Sequence, residues 1–423
     1  MSSNISKAKK ETLVLKFGGT SVADPECIER ISKIAIKEAE DHNVIVVVSA
    51  MGKTTNTLVD LAHQVFPGCR GRELDMLLAT GELVSMALTA MSIQRLGHPS
   101  VSLTGWQAGC ITEQSHNKAR IAEIKRDRIN KHLDQGEIVV VAGFQGITED
   151  GEVTTLGRGG SDTSAVALAA AFNAKRCDIY TDVDGVFTTD PRLVKEASKL
   201  DYISYEEMIE LASLGAKVLH PRSVELAKKY NVDLRVRNTF NPNNSGTAVV
   251  SVKRMKEMEL TKAVSGVALD TKQSRIGILG VADRPGIASK VFSELGKRKI
   301  NVDMIIQSVP RDGINDIAFT VPIEDADLAK ASCEEILQDI EGTKVIADKN
   351  IAKVSIVGAG MLNRPGVAST LFTALSDAGI NIQMISTSEI KISCIISVEQ
   401  ADKAVTVIHR AFELEKSSEP IIV

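Results

Sequence analysis

The sequence has few aromatic residues, and this scarcity already narrows the classes of function. Phe, Trp and Tyr make up 4% of its 423 residues, with a single tryptophan. Proteins that bind single-stranded nucleic acid stack bases on aromatic side chains, so this composition disfavours such a surface. Positive charge is not in excess either, because 50 lysines and arginines stand against 54 aspartates and glutamates, a net charge of −4. We therefore expect no nucleic-acid partner and no membrane partner.

Long apolar runs and paired cysteines are also lacking. No apolar run approaches the roughly 20 residues that a membrane span needs, and no signal-peptide core follows the polar, lysine-rich residues 1–10. The six cysteines form no CxxC pair and have no histidine at zinc spacing. These absences predict a cytoplasmic protein with reduced thiols and no metal site built from its own side chains.

The first 245 residues alternate between short β-rich runs and longer helical stretches. The helical stretches include 72–96 and 163–173. The strand candidates are rich in Val and Ile, as expected for strands buried on both faces, and lie at 13–17, 44–49, 100–104, 137–142, 176–181 and 232–236. This alternation predicts an α/β sandwich with a mostly parallel central sheet.

The C-terminal third contains a duplicated module. The segment that begins at Arg284 recurs 80 residues later at Arg364, and 12 of the 25 positions from 284 to 308 are identical in the two copies. Each copy reads as strand, Arg-Pro-Gly loop, helix, Ile-Asn turn and strand, which predicts two ferredoxin-like βαββαβ modules. A cluster of turn-forming residues at 241–246 marks the end of the first domain. The predicted domains are therefore 1–246, then 247–342 with a linker and the first module, and 343–423.

Three glycine-rich loops follow predicted strands, where ligands bind in open α/β sheets. The first begins at Lys16, whose cation and paired glycines suit a phosphate, although a tight turn with a surface lysine is the simpler interpretation. The second, Gly157 to Thr163, places Arg158 at a helix start, where Asp162 or Ser161 could instead cap the helix. The third, 180–187, spaces three aspartates that could meet a ribose or a magnesium ion, or form an ordinary Asp-Gly turn.

Covalent catalysis has no support in the sequence. No GxSxG motif is present, and the seven histidines are scattered. Phosphoryl transfer needs only cations around the transferred group and an acceptor in line with it. A carboxylate acceptor is already ionised at pH 7 and needs no general base. A glycine-lined, cation-lined site without a histidine base therefore favours a carboxylate as the acceptor.

Long ordered motifs give the sequence a specific resemblance. It resembles the monofunctional aspartate kinases, members of the amino-acid kinase family that carry tandem ACT domains. The matching segments span nearly the whole chain and are KFGGTSV from Lys16, SAMGKTTN from Ser49, TGELVS around Glu82, GFQG from Gly143, TTLGRGGSDT from Thr154, YTDVDGVFTTDPR from Tyr180 and GAKVLHPRSVE from Gly215. The resemblance implies transfer of a phosphoryl group from ATP, with Mg²⁺, to the side-chain carboxylate of L-aspartate.

The resemblance also implies roles for individual residues. Lys16, Arg158 and Asp162 would be catalytic, with Arg158 holding a substrate carboxylate and Asp162 orienting Lys16. The residues implied around aspartate are Thr55, Glu82, Arg158, Gly159, Gly160 and Ser161. Those implied around ATP are Lys16, Phe17, Gly18, Gly19, Thr181, Asp182, Phe187, Arg192, Lys217 and Val218, with Thr20 and Ser21 beside the phosphates. Without the resemblance, Glu82 would be interpreted as a solvated helix residue.

The duplicated modules predict an amino-acid sensor, because a helix N-terminus opened by Pro-Gly can bind a carboxylate. The family uses lysine, threonine or both as feedback effectors, and its ACT modules imply a homo-oligomer. The effector residues predicted are Asp283, Gly286, Ala288, Asn301, Gln307, Asn381, Ile382, Ser388 and Glu389. Two alternatives stay open, a kinase acting on glutamate or acetylglutamate and a sensor without catalysis. Met255 and Met258 also precede the modules, where some relatives begin a separate regulatory subunit.

Overall fold

The computed structural model describes residues 10–215, 218–258, 260, 262–361 and 364–415. Its N-terminal part contains twelve strands in chain order. They are β1 (Thr12–Phe17), β2 (Asn43–Val48), β3 (Ser100–Leu103), β4 (Cys110–Thr112), β5 (Ile121–Ile124), β6 (Ile138–Ala142), β7 (Gln145–Ile147), β8 (Val153–Thr155), β9 (Arg176–Thr181), β10 (Tyr202–Ser204), β11 (Leu234–Asn238) and β12 (Thr247–Val250). All six strands predicted here are confirmed, with ends shifted by at most two residues.

Eight of these strands form the central sheet, in the order β10-β12-β11-β9-β1-β2-β6-β3. Every pair is parallel except β11 with β12. Alternate residues of β1 enter cores on opposite faces, with Val14 on one side and Leu15 on the other. The predicted sandwich with a mostly parallel sheet is therefore confirmed. The strands β5-β4-β7-β8 form a second, small sheet that the sequence did not indicate.

Helices cover both faces of the central sheet. Their bounds are α1 (Pro25–Ala39), α2 (Thr54–Val65), α3 (Arg72–Arg95), α4 (Asp127–Asp134), α5 (Gly160–Ala171), α6 (Tyr205–Ser213), α7 (Pro221–Tyr230) and α8 (Val252–Glu257). Helix α5 begins three residues earlier than predicted, at Gly160. Ten of its residues are buried, which fits its Ala-rich and Val-rich sequence.

By length and hydropathy alone, α3 could cross a membrane, although the sequence indicated no such stretch. In the structure it packs against α1, α2, β3 and β6. It also buries two acids, Asp75 and Glu82. Nine of its 24 residues are buried, and through Glu82 it contributes to the site described below.

The C-terminal repeats form two further sheets. Their elements are β13 (Gly266–Asp270), β14 (Gln273–Ala282), α9 (Ile287–Lys297), β15 (Ile305–Gln307), β16 (Ile314–Pro322), α10 (Ala326–Glu335), β17 (Lys344–Asp348), β18 (Ile351–Val357), α11 (Val367–Asp377), β19 (Met384–Thr387), β20 (Lys391–Ser397) and α12 (Ala401–Ala411). The first module has the sheet order β15-β16-β14-β17 and the predicted βαββαβ sequence of elements.

The second module differs from the first in the origin of one strand. Its sheet has the order β13-β18-β20-β19, so its edge strand β13 precedes the whole first module in the chain. Strand β13 pairs antiparallel with β18 from Gly266↔Val357 to Asp270↔Lys353. The two modules are therefore interleaved in sequence, whereas the predicted domain boundaries, which stay a prediction, separate them in linear order.

Apolar and charged contacts join the two modules. Met304 of the first and Met384 of the second share a small buried cluster with Ile351 and Ile395. The buried Lys353 forms an ion pair with Asp303 across the same junction. Since both an apolar core and an ion pair of the buried Lys353 cross the junction, the modules pack as one unit.

Candidate active site

Two of the three glycine-rich loops, those after β1 and β9, leave the central sheet at the same edge. Phe17 at the end of β1 lies in register with Val48 of β2 and Tyr180 of β9. Parallel neighbours end at the same edge, so the loops that follow these strands lie side by side. The first loop is closely packed: a Cβ on Gly19 would lie 3.0 Å from the carbonyl oxygen of Gly52.

A lysine–aspartate ion pair lies at the centre of this edge. Lys16 Nζ is 2.6 Å from Asp162 Oδ1, and the two side chains are 11% and 12% exposed. Lys16 comes from the carboxyl end of β1, and Asp162 from the first turn of α5. The structure therefore brings together two residues that are 146 positions apart in the sequence, as the family resemblance implied.

The start of α5 faces the same space. Capping by Asp162 or Ser161, the alternative weighed from the sequence, is wrong: the N-cap residue is Gly159, and no side chain caps the helix. Gly159 has φ +68°, and a Cβ there would lie 2.3 Å from the ring of His220. The first N–H groups of a helix have no partner within it, so this end offers donors and positive potential to an anion.

A cavity of about 310 Å³ collects all the residues predicted for catalysis and for aspartate binding. Those named from the sequence that line it are Lys16, Gly19, Thr55, Glu82, Arg158, Gly159, Gly160, Ser161 and Asp162. It is also lined by residues to which sequence reasoning assigned no role, namely Ser49, Ala50, Gly52, Phe144 and Gly157. All five lie within motifs that carried the resemblance, which was the available signal.

Glu82 is the buried acid of this cavity. It is 2% exposed, so the interpretation as a solvated helix residue is wrong. Its Oε1 accepts a hydrogen bond from the Ala50 N–H at 3.0 Å, and its Oε2 has no hydrogen-bond partner among the described residues. Burial raises the pKa of Glu82 to about 8, although the Ala50 N–H acts against this rise. An ammonium group entering the cavity would supply the missing partner.

Arg158 is the available cation of the cavity. Its side chain is exposed, and it forms no ion pair with any residue in the described ranges. It is carried by the loop between β8 and α5. A guanidinium held in this way can bind a carboxylate through two parallel hydrogen bonds.

Of the residues predicted around ATP, Lys16 and Gly19 line this cavity, and the other members that the structure describes do not. Phe17 is buried and stacks on Tyr180 at 4.7 Å, and the N–H of Gly18 donates to the Tyr180 carbonyl at 3.3 Å. Thr181 ends β9 and donates to Asp182, and Arg192 is paired with Asp190. Phe187 forms a bridge with Lys199, Val218 packs against the core, and Lys217 lies outside the described residues. The exposed Thr20 follows the loop, whereas the buried Ser21 hydroxyl is hydrogen-bonded to Thr239.

The loop after β9 is attached to the second of the two C-terminal modules. Thr188 Oγ1 lies 2.9 Å from Nε2 of His409, which is on α12 and 1% exposed. The Thr188 carbonyl accepts from the N–H of Val267 in β13 at 2.7 Å. Nearby, Glu207 Oε1 accepts from Ser265 and from the N–H of Ala359. The segment predicted to meet the nucleotide is thus in direct contact with the second C-terminal module.

The predicted effector residues are mostly exposed in both repeats. Gly286 precedes α9 with φ +96°, and Ala288 lies in the first turn of that helix. Asp283 accepts a hydrogen bond from Asn315, and Gln307 ends β15. The remaining members are exposed, except for the half-buried Ile382, and they are Asn301, Asn381, Ile382, Ser388 and Glu389.

A second cavity of about 550 Å³ lies between the two modules. Its walls are mainly apolar and include Ile306, Ile317 and Met384, with Arg275 among its polar residues. Ile382 is the one predicted effector residue among the described residues that line it. The residues proposed for effector binding thus lie largely outside this cavity.

Family patterns divide the chain as the fold does. The pattern of the amino acid kinase family matches residues 11–238, and ACT-domain patterns match residues 274–338 and 354–412. Among curated proteins, "Aspartokinase 2" of Bacillus subtilis is 51% identical over 405 residues, which are 96% of this chain and 98% of that protein. "Aspartokinase" of Geobacillus stearothermophilus is 50% identical over 407 residues, with the same two coverages.

Solved structures are similar over nearly the same length. Aspartokinase III of E. coli in complex with aspartate and ADP is 27% identical, with a TM-score of 0.79 over 95% of this chain and 99% of that chain. The same E. coli protein in complex with lysine and aspartate gives a TM-score of 0.75 at 27% identity, with coverages of 95% and 100%. Aspartate kinase from Synechocystis is 47% identical and covers 96% of this chain and 70% of that chain, with a TM-score of 0.52.

Proposed function

The chain belongs to the aspartokinases of the amino acid kinase family, and we propose that the cavity around Lys16 is its active site. The chain is an aspartate kinase, which transfers the terminal phosphoryl group of ATP to the side-chain carboxylate of L-aspartate. The product is 4-phospho-L-aspartate, a first intermediate towards lysine, threonine and methionine. The ion pair between Lys16 and Asp162, at the open N-terminus of α5, is the observation that carries the site assignment.

We propose that aspartate binds between Glu82 and Arg158. The unpaired Oε2 of Glu82 accepts the substrate ammonium, and Arg158 holds a substrate carboxylate. Thr55 and the residues Gly159, Gly160 and Ser161 line the rest of this space. A zwitterion with two carboxylates then meets one buried acid, one free cation and the positive end of a helix, which is a complementary set of charges.

The transfer itself needs little covalent chemistry from the protein. An oxygen of the ionised side-chain carboxylate forms a bond to the γ-phosphorus, and the bond from that phosphorus to the β–γ bridging oxygen breaks. The electron pair leaves with ADP, and no proton has to move. Lys16 lies where it can neutralise charge on the transferring group, and Asp162 fixes the position of the Lys16 ammonium.

We propose that the nucleotide lies on the loop after β9, beside the cavity. Thr181 ends β9, and Asp182, Phe187 and Arg192 belong to the loop after it. Lys217 and Val218 are proposed as further neighbours of the nucleotide. Mg²⁺ would enter with ATP and neutralise charge on the phosphate oxygens. In the described ranges no three His, Cys, Asp or Glu side chains cluster as metal ligands. The phosphates would therefore supply most of the ligands of Mg²⁺, and the exposed carboxylate of Asp182 could supply one more.

A coupled ADP-release assay tests the substrate assignment. Aspartate, glutamate and acetylglutamate are compared at equal ATP and Mg²⁺ concentrations, and we expect aspartate to give the highest kcat/KM. A preference for either of the other two acids would make the chain a different amino-acid kinase. Absence of turnover with all three would favour a non-catalytic amino-acid sensor.

We propose that lysine, threonine or both bind the ACT modules and inhibit the kinase. The support is the contact between His409 of α12 and Thr188, because it joins the sensing modules to the nucleotide loop. Effector binding needs to favour one state by only ~1–3 kcal/mol to change activity usefully. Titration of lysine, threonine and their mixture should inhibit the wild type, and Asn381→Ala should weaken this inhibition. Insensitivity of the wild type to every combination would remove the sensor proposal.

Two further proposals concern the state and location of the protein. We propose a homo-oligomer formed through the ACT modules, whose edge strands β15 and β19 carry the exposed Ile305 and Ile385. We also propose a cytoplasmic location, which the six free cysteines support. Light scattering of the purified protein, with and without effector, measures the first.

A further inference from the structure

Asp75 is a fully buried acid that the phosphoryl transfer does not use. It is 0% exposed and lies on α3, seven residues before Glu82. Seven residues are about two helical turns, so the two acids point from the same side of the helix. Asp75 does not line the cavity, although Glu82 does. A buried carboxylate is costly unless donors surround it, so its partners indicate what it does.

Three residues donate hydrogen bonds to this carboxylate. Thr155 Oγ1 lies 2.5 Å from Asp75 Oδ1, and Asn117 Nδ2 lies 2.7 Å from the same oxygen. The backbone N–H of Asn117 donates to both carboxylate oxygens, at 3.1 and 3.0 Å. His116 Nδ1 is 2.9 Å from Oδ2. Asp75 therefore ties two separate segments of the chain to α3.

Both segments support the loop that carries Arg158. Thr155 is the last residue of β8, three positions before Arg158. The backbone of Asn117 lies against the loop as well, because a Cβ on Gly157 would lie 3.0 Å from the Asn117 carbonyl oxygen. The N–H of Ala119 donates to the Thr155 carbonyl at 3.0 Å, which joins the two segments to each other.

We propose that Asp75 is a positioning residue that sets the span between Glu82 and Arg158 and so selects the length of the substrate dicarboxylate. The proposal rests on the roles proposed above for Glu82 and Arg158. One helix then holds both sides of the amino-acid pocket: it carries Glu82 directly, and through Asp75 it anchors the loop of Arg158. An amino acid one methylene longer than aspartate needs a wider span, which a firmly anchored loop does not supply. Discrimination of one methylene is typically about 10- to 200-fold.

The test uses Asp75→Asn in the full-length chain. Asparagine keeps the size of the side chain but replaces one acceptor oxygen with a donor, so it cannot serve all of these donors. We expect the KM for aspartate to rise about 10-fold, with the KM for ATP within about twofold of wild type. Glutamate is measured as a competitor of aspartate, so that its binding is scored even where its turnover is slow. Its inhibition constant divided by the KM for aspartate should fall at least about fivefold.

A second variant and a matched control accompany it. Thr155→Val removes one donor from the network and should change the same two quantities in the same direction, by less. Asp178→Asn makes the same chemical change at another 0% exposed acid, whose partners are Arg176 and Arg237. Within the described ranges, that acid makes no hydrogen bond or ion pair with the Arg158 loop, and we expect the glutamate-to-aspartate ratio to stay at the wild-type value.

The outcomes separate a positioning role from a structural one. If Asp75→Asn lowers the melting temperature and leaves both the KM for aspartate and the ratio unchanged, Asp75 only stabilises the fold and the proposal is overturned. If Asp75→Asn does not fold, an unchanged ratio in Thr155→Val overturns it equally. Turnover of aspartate by the wild type, measured in the same series, tests the proposed function separately. If the wild type is active on aspartate but the glutamate-to-aspartate ratio is unchanged in the variants, only the positioning role of Asp75 is overturned.

Discussion

The raised pKa of Glu82 predicts that aspartate binding releases a proton. In the empty pocket the pKa of Glu82 is raised to about 8 by burial, so at pH 7 about one molecule in eleven carries the ionised carboxylate. In the binding mode proposed above, the substrate ammonium binds to the ionised form and so shifts the population towards it. At pH 8 about half of the molecules are ionised. The apparent dissociation constant for aspartate should therefore fall about fivefold between pH 7 and pH 8.

Isothermal titration calorimetry measures both quantities. At pH 7, in buffers that differ in ionisation enthalpy, we expect about 0.9 proton to be released per aspartate bound. The control is Glu82→Gln, which cannot ionise and should bind aspartate weakly with no dependence on pH across this range. An affinity that is flat from pH 7 to pH 8 in the wild type, or a slope that persists in Glu82→Gln, would refute the role of Glu82 as ammonium acceptor.

The same pKa shift predicts that the stability of the protein without ligands falls as the pH rises, whereas its affinity for aspartate rises. Glu82 binds a proton more tightly in the folded chain than in the unfolded chain, where its pKa is 4.5. The free energy of unfolding therefore decreases as the pH rises from 4.5 towards 8, and at pH 7 the decrease is about 3 kcal/mol. Glu82→Gln avoids this cost, so its unfolding midpoint without ligands should be several degrees above that of the wild type at pH 7. The difference should disappear near pH 4.5, and scanning calorimetry of both proteins at the two pH values checks this.

Three further changes test other parts of the site. Lys16→Ala should lower kcat by about 100-fold or more while aspartate binding is kept, since the lysine acts on charge that develops during transfer; a rate above about a tenth of wild type would contradict this role. Arg158→Lys should raise the KM for aspartate far more than the KM for ATP, because an ammonium cannot make two parallel hydrogen bonds to a carboxylate. Equal increases in the two KM values would indicate that Arg158 binds the nucleotide instead. His409→Gln and Thr188→Val should each weaken inhibition by the effector. In the double variant the inhibition should be weakened no further than in the single variants, because all three remove the same contact. If the effects of the two substitutions on inhibition add, the two residues act separately.

The sequence predicted the fold class and most of the residues that line the cavity around Lys16. Short Val-rich and Ile-rich runs predicted the buried parallel strands, because strands that are covered on both faces need apolar side chains on both faces. The pairing of Lys16 with Asp162 and the cation of Arg158 came from long motifs, and the structure places all three in one cavity. The substrate and nucleotide roles of the individual residues remain predictions that the experiments above decide.

The features that were missed depend on which segments meet in space. The residues next to Glu82 in the sequence do not show that it is buried or that the Ala50 N–H donates to it. By sequence alone, Glu82 is therefore typical of a surface helix. Asp75 is equally ordinary until Thr155, 80 positions away, is seen to donate to it. The capping interpretation of Asp162 was wrong for a similar reason, since local sequence offers a cap while a distant lysine binds the same carboxylate.

The placement of β13 limits where this polypeptide can be divided. A cut between β17 and β18 would separate the repeats in sequence, but it would leave β13 with the first fragment and expose the edge of β18 on the second. An exposed β edge invites pairing with other chains, so the second fragment should aggregate. Met255 and Met258 both precede Gly266, so a shorter product begun at either methionine would carry all the strands of both sheets. The two modules together with β13 therefore form one structural unit, and neither module can be separated from the other without breaking a sheet.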